Sequence, residues 1–71
     1  MKLQYYPETD SLYIDLNSRP SVDSREIVEG LVADLDAQGN VVGLDIQHAS
    51  EKLDLQTLEA VALPAPVTKL S

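Results

Sequence analysis

The sequence contains no cysteine, tryptophan or phenylalanine, one histidine, and only five basic residues among its 71. The lack of cysteine excludes a disulfide-stapled secreted scaffold, a thiol nucleophile and cysteine-ligated zinc. Twelve acidic residues against the five basic ones give a formal charge of −7, whereas a nucleic-acid surface needs clustered Lys and Arg. No run approaches the roughly 20 apolar residues that cross a membrane. We therefore expect a cytoplasmic protein with neither a nucleic-acid nor a membrane surface.

What the chain does have is apolar residues spaced two apart, the pattern of half-buried strands. Residues 7–10 interrupt this pattern with turn chemistry, which predicts a hairpin between the first two strands. Residues 17–25 are polar and predict a mobile loop, after which alternation resumes from Glu26. Residues 37–40 are again turn residues. The apolar positions of the four predicted strands are Leu3 and Tyr5; Leu12, Ile14 and Leu16; Leu31, Ala33 and Leu35; and Val42, Leu44 and Ile46.

The apolar pattern also predicts the register in which the last two strands pair. A three-residue loop would turn Val42, Leu44 and Ile46 toward water, because a slip of one residue inverts every side chain. A four-residue loop instead places the pairs Leu35–Val42, Ala33–Leu44 and Leu31–Ile46 on one apolar face. We expect the second register.

The period changes after residue 49. Ser50 is a good helix N-cap and Asp54 is a rival, while Leu55, Leu58 and Val61 follow at helical spacing. Pro64 ends the predicted helix. The predicted fold is therefore α+β, an antiparallel four-stranded β-meander with one C-terminal α-helix packed on one face. Residues 1–63 form the single domain, and residues 64–71 form an extended proline-containing tail. The face under the helix comprises Leu12, Ile14, Leu31, Leu35, Leu44 and Ile46.

Two blocks of sequence are distinctive together: residues 5–14, YYPETDSLYI, and residues 34–46, DLDAQGNVVGLDI. Over residues 5–50 the chain resembles the short prokaryotic proteins of domain-of-unknown-function family 2283. Tyr6 stands where that family usually has Asp, and Asp45 where it usually has Glu. The family has no established activity. Some members resemble antitoxins that partner small ribonuclease-like toxins, and this implies a basic protein partner.

The spacing of Asp34, Asp36, Gly39 and Asp45 approximates a calcium-binding loop. An EF-hand needs flanking helices and a final Glu, whereas these flanks alternate with period two. We therefore predict a hairpin turn in which Asp36 caps and Gly39 takes a positive φ. A divalent-cation module centred on Asp34, Asp36 and Asp45 remains an alternative function.

The residues give little support for catalysis. His48 is alone, shares the parity of Ile46, and is predicted to be a structural residue at the end of the core face. No serine lies in a nucleophile-elbow context, and two carboxylates on an open sheet face lack the cleft that acid–base work needs. We expect no enzyme, no catalytic residue, no metal and no cofactor; a small hydrolase is the last alternative.

The side of the sheet away from the core is the candidate interaction face. Tyr5 is predicted to lie in the core, whereas Tyr6 and Tyr13 face outward, where Tyr often contributes to interfaces. Acidic residues around an uncovered apolar patch suggest burial by another chain, which is either a second copy in a homo-oligomer or a small basic protein. The expected function is thus non-enzymatic protein–protein interaction, of an antitoxin-like kind. The predicted face comprises Tyr13, Asp15, Val32, Asp34, Val41 and Asp45.

Overall fold

The computed structural model describes residues 1–64, which form an antiparallel five-stranded sheet and one short helix. The class is α+β, as predicted, but the sheet has one strand more than expected. Of the predicted tail only residue 64 belongs to this range, and residues 65–71 lie outside it. The strands are β1 Lys2–Tyr6, β2 Ser11–Asp15, β3 Asp23–Val28, β4 Leu31–Leu35 and β5 Val41–Gln47, and the helix is α1 Ala49–Lys52.

The strand order is β1-β2-β5-β4-β3, so the predicted meander is wrong. β5 lies between β2 and β4 and pairs antiparallel with both of them. The central position suits β5, whose apolar residues alternate along the strand, because a central strand is flanked by a neighbouring strand on each side. Both predicted hairpins are present, β1 with β2, where Leu3 lies opposite Ile14, and β4 with β5; the error is that β2 neighbours β5 rather than β4.

The fifth strand lies partly where a mobile loop was predicted. β3 begins at Asp23 and pairs with β4, with Ser24 opposite Asp34 and Glu26 opposite Val32. All six of its residues are exposed, so it is an edge strand held by backbone pairing that needs no apolar side chains. Gly30, expected to continue a strand from Glu26, instead makes the turn to β4 at φ +83°. The sequence pattern did not reveal this strand because most of its residues are polar.

The predicted register of β4 and β5 is confirmed for most of its length. Leu31 pairs with Ile46 and Ala33 with Leu44, as the apolar alternation requires. At the end of β4 a β-bulge intervenes, and Leu35 pairs with Val41 rather than with Val42. Bulges accommodate one extra residue on one strand and are not visible in an alternation pattern.

The turn between these two strands has the predicted chemistry. Asp36 Oδ1 accepts the backbone N–H groups of Gln38, at 3.0 Å, and Asn40, at 2.9 Å. Gly39 takes the positive φ, +84°, that glycine adopts without a steric penalty. Asp36 is buried, and Arg19 Nε lies 3.2 Å from its other oxygen.

A C-terminal helix is present at the first of the two predicted starts, near Ser50, but it is much shorter than predicted. α1 ends at Lys52, and its C-cap Leu53 is extended at φ −124°, ψ 152°. Asp54 does cap a turn, accepting the Gln56 N–H at 3.0 Å and the Thr57 hydroxyl at 2.8 Å, but no helix continues from it. An isolated helix of about ten residues is marginal in water unless an apolar face packs. Here that stripe stays exposed, with Leu58 and Val61 at 79% and 80%.

The start of α1 is fixed by Asp10 rather than by Ser50. His48 occupies the N-cap position without a side-chain cap, and the Ser50 hydroxyl donates to Asp10 Oδ2 at 2.7 Å. Asp10 Oδ1 also accepts the Ser50 N–H and the Tyr5 hydroxyl. Hydrogen bonds from the hydroxyls of Ser50 and then Tyr5 lower the pKa of Asp10. The turn before β2 is thereby tied to the helix after β5.

The apolar side of the sheet, which we call the apolar face, is only partly covered in residues 1–64. Leu12, Ala33 and Leu35 on it are buried, whereas Tyr5, predicted to lie in the core, is 42% exposed. A four-residue helix is too short to form the second layer that a sheet of five strands requires. Four further residues of this face are half-buried: Ile14, Leu31, Leu44 and Ile46. None of the helices in the described range is long and apolar enough to span a membrane.

Candidate functional site

The opposite side of the sheet collects the polar residues of the three central strands. Side chains of an antiparallel sheet alternate between faces, so residues that pair across β2, β5 and β4 share a side. Tyr13 lies opposite Asp45, and Asp45 lies opposite Val32; Gly43 lies opposite both Asp15 and Asp34. We call this surface the open face, and its central residues are Tyr13, Asp15, Val32, Asp34, Gly43 and Asp45.

Tyr13 is the centre of the open face because its side chain reaches across a whole strand. Its hydroxyl on β2 donates to Asp34 Oδ2 on β4 at 2.5 Å, passing over β5. Gly43 on β5 makes this path possible, since a Cβ at that position would overlap the Tyr13 hydroxyl. The glycine is therefore required by a close approach of a side chain and not by its own φ.

Asp34 receives a second hydroxyl from the edge strand. Ser24 Oγ on β3 donates to Asp34 Oδ1 at 2.7 Å, so each carboxylate oxygen accepts one hydrogen bond. The Tyr13–Asp34–Ser24 chain thus links β2, β4 and β3 on one side of the sheet. The sequence predicted the position of Asp34, but not this network, because Ser24 had been placed in a loop.

The surrounding acids change the ionisation of Tyr13. The hydrogen bond to Asp34 raises the pKa of the Tyr13 phenol to about 12, helped by partial burial and by the charges of Asp34, Asp15 and Asp45. All five contributions act in the same direction, because each of them disfavours the negatively charged phenolate. Tyr13 is therefore a protonated donor at neutral pH and is unsuited to act as a general base.

Asp15 and Asp45 differ from Asp34 in having no such donors. Among residues 1–64, neither side chain takes part in a hydrogen bond or ion pair. Asp15 is exposed and Asp45 half-buried, and they lie on either side of the Tyr13 side chain. Lys2 is the cross-strand neighbour of Asp15 on β1. Two carboxylates are consequently available to a cation from outside.

A shallow recess adjoins this cluster where β2 begins and β5 ends. His48, predicted to end the core face, lines this recess instead, and its side chain is 68% exposed. The reason is its left-handed φ of 53°, which breaks the alternation that Ile46 would otherwise continue. His48 Nδ1 lies 3.4 Å from Glu51 Oε2. The lining residues are Tyr6, Thr9, Ser11, Tyr13, Asp45, Gln47 and His48.

The two valines predicted on the open face differ in burial. Val32 is half-buried beside Asp45, whereas Val41 is 43% exposed at the bulged end of β5. Five of the six predicted interaction residues are thus close neighbours in the pairing of the central strands, and Val41 lies at their margin. Tyr6 faces outward as expected and is 42% exposed.

The carboxylates of the calcium-loop alternative do not converge. Asp34 accepts two hydroxyls on the open face, while Asp36 turns inward to the hairpin and Arg19. Hydrogen bonds from the Asn40 and Gln38 backbone N–H groups lower the pKa of Asp36, against a smaller opposing effect of desolvation. In the part of the chain that the structure describes, no three acidic or histidine side chains are placed to hold a metal ion.

Comparison with known families agrees with the resemblance seen in the sequence. The family model described as "Protein of unknown function (DUF2283)" matches residues 2–50, which include all five strands and the start of α1. The chain belongs to this family. The matched region of this DUF2283 protein contains the whole open face. It ends at residue 50, so residues 53–64, which follow α1, lie outside it. No curated protein and no solved structure is detectably similar to it.

Proposed function

We propose that this DUF2283 protein acts without catalysis, by binding a basic protein through its open face. The observation that carries the proposal is the cluster of three carboxylates around the Tyr13 side chain, of which only Asp34 accepts hydrogen bonds from within residues 1–64. Asp15 and Asp45 are free to meet Lys or Arg of a partner. Because Tyr13 is held in place by Asp34, the centre of the face is ordered before the partner arrives.

The electrostatics of the whole chain support the same kind of partner. A formal charge of −7 on 71 residues attracts a cationic protein over a distance of about a Debye length. Complementary charge chiefly accelerates and orients association, while tyrosine supplies apolar area with a polar tip. A small cationic toxin of the ribonuclease-like kind suits this description, which makes the proposed function antitoxin-like.

The absence of catalysis is part of the proposal. The phenol of Tyr13 has its pKa raised rather than lowered, the opposite of what an activated nucleophile needs. His48 is mostly exposed and faces Glu51, with no serine hydroxyl donating to its ring in the described residues. These contacts support binding over hydrolysis.

The test is the affinity for a defined cationic probe, the hexa-arginine peptide, measured by calorimetry at low ionic strength. Replacing both free carboxylates, Asp15→Asn with Asp45→Asn, should weaken binding about tenfold, since two exposed charge pairs at ~0.2–1 kcal/mol each sum to roughly that ratio. The control, Glu29→Gln with Glu59→Gln, changes net charge equally at exposed sites elsewhere. Equal weakening by both pairs would reject the open face as the binding site.

Self-association is a second candidate function, favoured by a different observation. The apolar face retains exposed residues at the β1 side of the sheet, including Leu3 at 36% and Tyr5 at 42%. Small domains without disulfides gain stability by burying such surface against another chain. Sedimentation across a range of concentrations tests this candidate, and a monomer throughout would reject it.

A further inference from the structure

The two edges of the sheet differ in how well they are protected against further strands. Within residues 1–64, β1 and β3 are the outermost strands, and each pairs with one neighbour only. A free edge presents unpaired backbone N–H and C=O groups, which are a template for another strand. Natural sheets protect such edges with bulges, with charged residues or with proline.

β3 has this protection. Its pairing with β4 shifts register between Glu26 and Val28, which makes Ile27 the extra residue of a β-bulge. Charged side chains occupy three of its six positions, at Asp23, Arg25 and Glu26. A strand that is bulged and charged in this way is a poor template.

β1 lacks it. Its five residues pair with β2 without a shift from Lys2 to Tyr6, and it contains no proline and one charge. All five are exposed, among them Leu3, Tyr5 and Tyr6 at 36%, 42% and 42%. As far as the described part of the chain goes, the edge is therefore straight, partly apolar and open over its full length.

We propose that β1 pairs antiparallel with β1 of a second copy, about a two-fold axis that passes beside Gln4, to give a continuous ten-stranded sheet. The sequence of β1 is complementary to itself in this register. Leu3 meets Tyr5 of the second copy on the apolar face, and Lys2 meets Tyr6 of the second copy on the other side. Gln4 meets its own equivalent on the axis. Aromatic–aliphatic cross-strand pairs stabilise a sheet, and no like charges lie directly opposite.

A second copy fits this edge better than an unrelated strand does. An isologous contact requires a patch that complements itself, and β1 satisfies this at every position. The pairing also covers Leu3 and Tyr5, the exposed apolar residues that favour self-association. It rests on that second candidate function and is independent of the binding of a basic partner, which uses the other residues of the open face.

The decisive experiment places charge on the axis. Gln4→Lys and Gln4→Glu each set like charges opposite one another in the dimer, so we expect each variant alone to dissociate at least tenfold more readily than the wild type in sedimentation equilibrium. Mixing the two variants sets Lys opposite Glu and should restore a species of about twice the 7.8 kDa monomer mass. Gln47→Lys and Gln47→Glu, on the exposed end of interior strand β5, should leave dimerisation unchanged.

A single thiol gives a second measurement that does not depend on charge. The chain has no cysteine, so Gln4→Cys introduces the only one. Directly opposed residues of an antiparallel pair have Cα atoms about 4.5–5.5 Å apart, within the range that a disulfide spans. Gln4→Cys should therefore oxidise to a covalent dimer, and Gln47→Cys should not.

Three results would overturn the pairing of β1. A wild type that stays monomeric to millimolar concentration would reject both this inference and self-association. A dimer unaffected by either charge at residue 4 would reject the β1 edge while leaving self-association by another surface. If the mixture fails to dimerise and Gln4→Cys forms no cross-link, the β1 edge is likewise rejected, and self-association by another surface is left. None of these results bears on hexa-arginine binding.

Discussion

The two faces of the sheet are organised by different forces, and adjacent residues of β2 show the contrast. Leu12 points to the apolar face and is 8% exposed, held by burial among other apolar side chains. Tyr13 points to the open face and is held by one hydrogen bond to Asp34 across the space above Gly43. Burial of apolar side chains tolerates small changes in geometry, whereas the contacts of the open face depend on particular hydrogen-bond donors and acceptors. The apolar face therefore determines the fold, and the open face carries the specific arrangement on which the proposed function rests.

The largest expected effect is on the apolar face. Leu12→Ala should lower the free energy of unfolding by ~2–5 kcal/mol, because it removes a buried side chain and leaves a cavity. Urea denaturation followed by circular dichroism measures this. A loss similar to that of an exposed substitution would mean that the apolar face is not the core.

Gly43→Ala should have the next largest effect, although glycine normally weakens a strand. The new Cβ would meet the Tyr13 ring and hydroxyl, and overpacking of this kind costs ~1–3 kcal/mol. In a Tyr13→Ala background the same change should cost nothing or be stabilising, since the obstacle is gone. A cost that persists in that background would place the cause elsewhere than in Tyr13.

Tyr13→Phe should cost less, ~0.5–1.5 kcal/mol, because it removes one hydrogen bond and keeps the ring. The matched control is Tyr6→Phe, an exposed tyrosine whose hydroxyl makes no hydrogen bond within residues 1–64, and it should change stability by less than ~0.5 kcal/mol. Equal losses in the two variants would contradict the Tyr13–Asp34 contact.

The smallest effect at neutral pH is expected from ionisation, since it appears only in alkali. The pKa of Tyr13 in the folded protein, about 12, lies above its ordinary value of 10.0. The stabilisation that this phenol contributes is thus fully present below pH 10 and is lost as the pH rises toward 12. Absorbance titration of the tyrosinates should show one group near 12 that disappears in Tyr13→Phe. A normal titration of all three tyrosines would contradict the geometry.

Apolar alternation was sufficient to predict much of the sheet. It placed Leu31 with Ile46 and Ala33 with Leu44, since register is strongly specified where one face is buried. It missed β3 because an exposed edge strand such as Asp23–Val28 carries no alternation. It also gave the wrong strand order, because periodicity assigns faces and not neighbours. The predicted helix does not continue past Lys52 for a related reason, since helical spacing of apolar residues does not ensure a surface to pack against.

The site was predicted by position but not by connectivity. Parity alone put Tyr13, Asp34 and Asp45 on one face, which the structure confirms. It could not show that Tyr13 crosses β5, although a glycine at residue 43 in the middle of a strand was the available signal. His48 was misplaced because its left-handed backbone ends the alternation, and nothing in its residue type indicates that conformation.

The most direct test of the central claim is to map the hexa-arginine peptide onto the two faces by NMR. Adding the peptide at low ionic strength to the ¹⁵N-labelled protein should shift the backbone signals of Tyr13, Asp15 and Asp45, and these shifts should fall sharply in the Asp15→Asn, Asp45→Asn variant. The signals of Leu35 and Val42, buried on the far side of the open-face cluster, should move little. Shifts spread evenly over both faces, or retained in the double variant, would contradict the account.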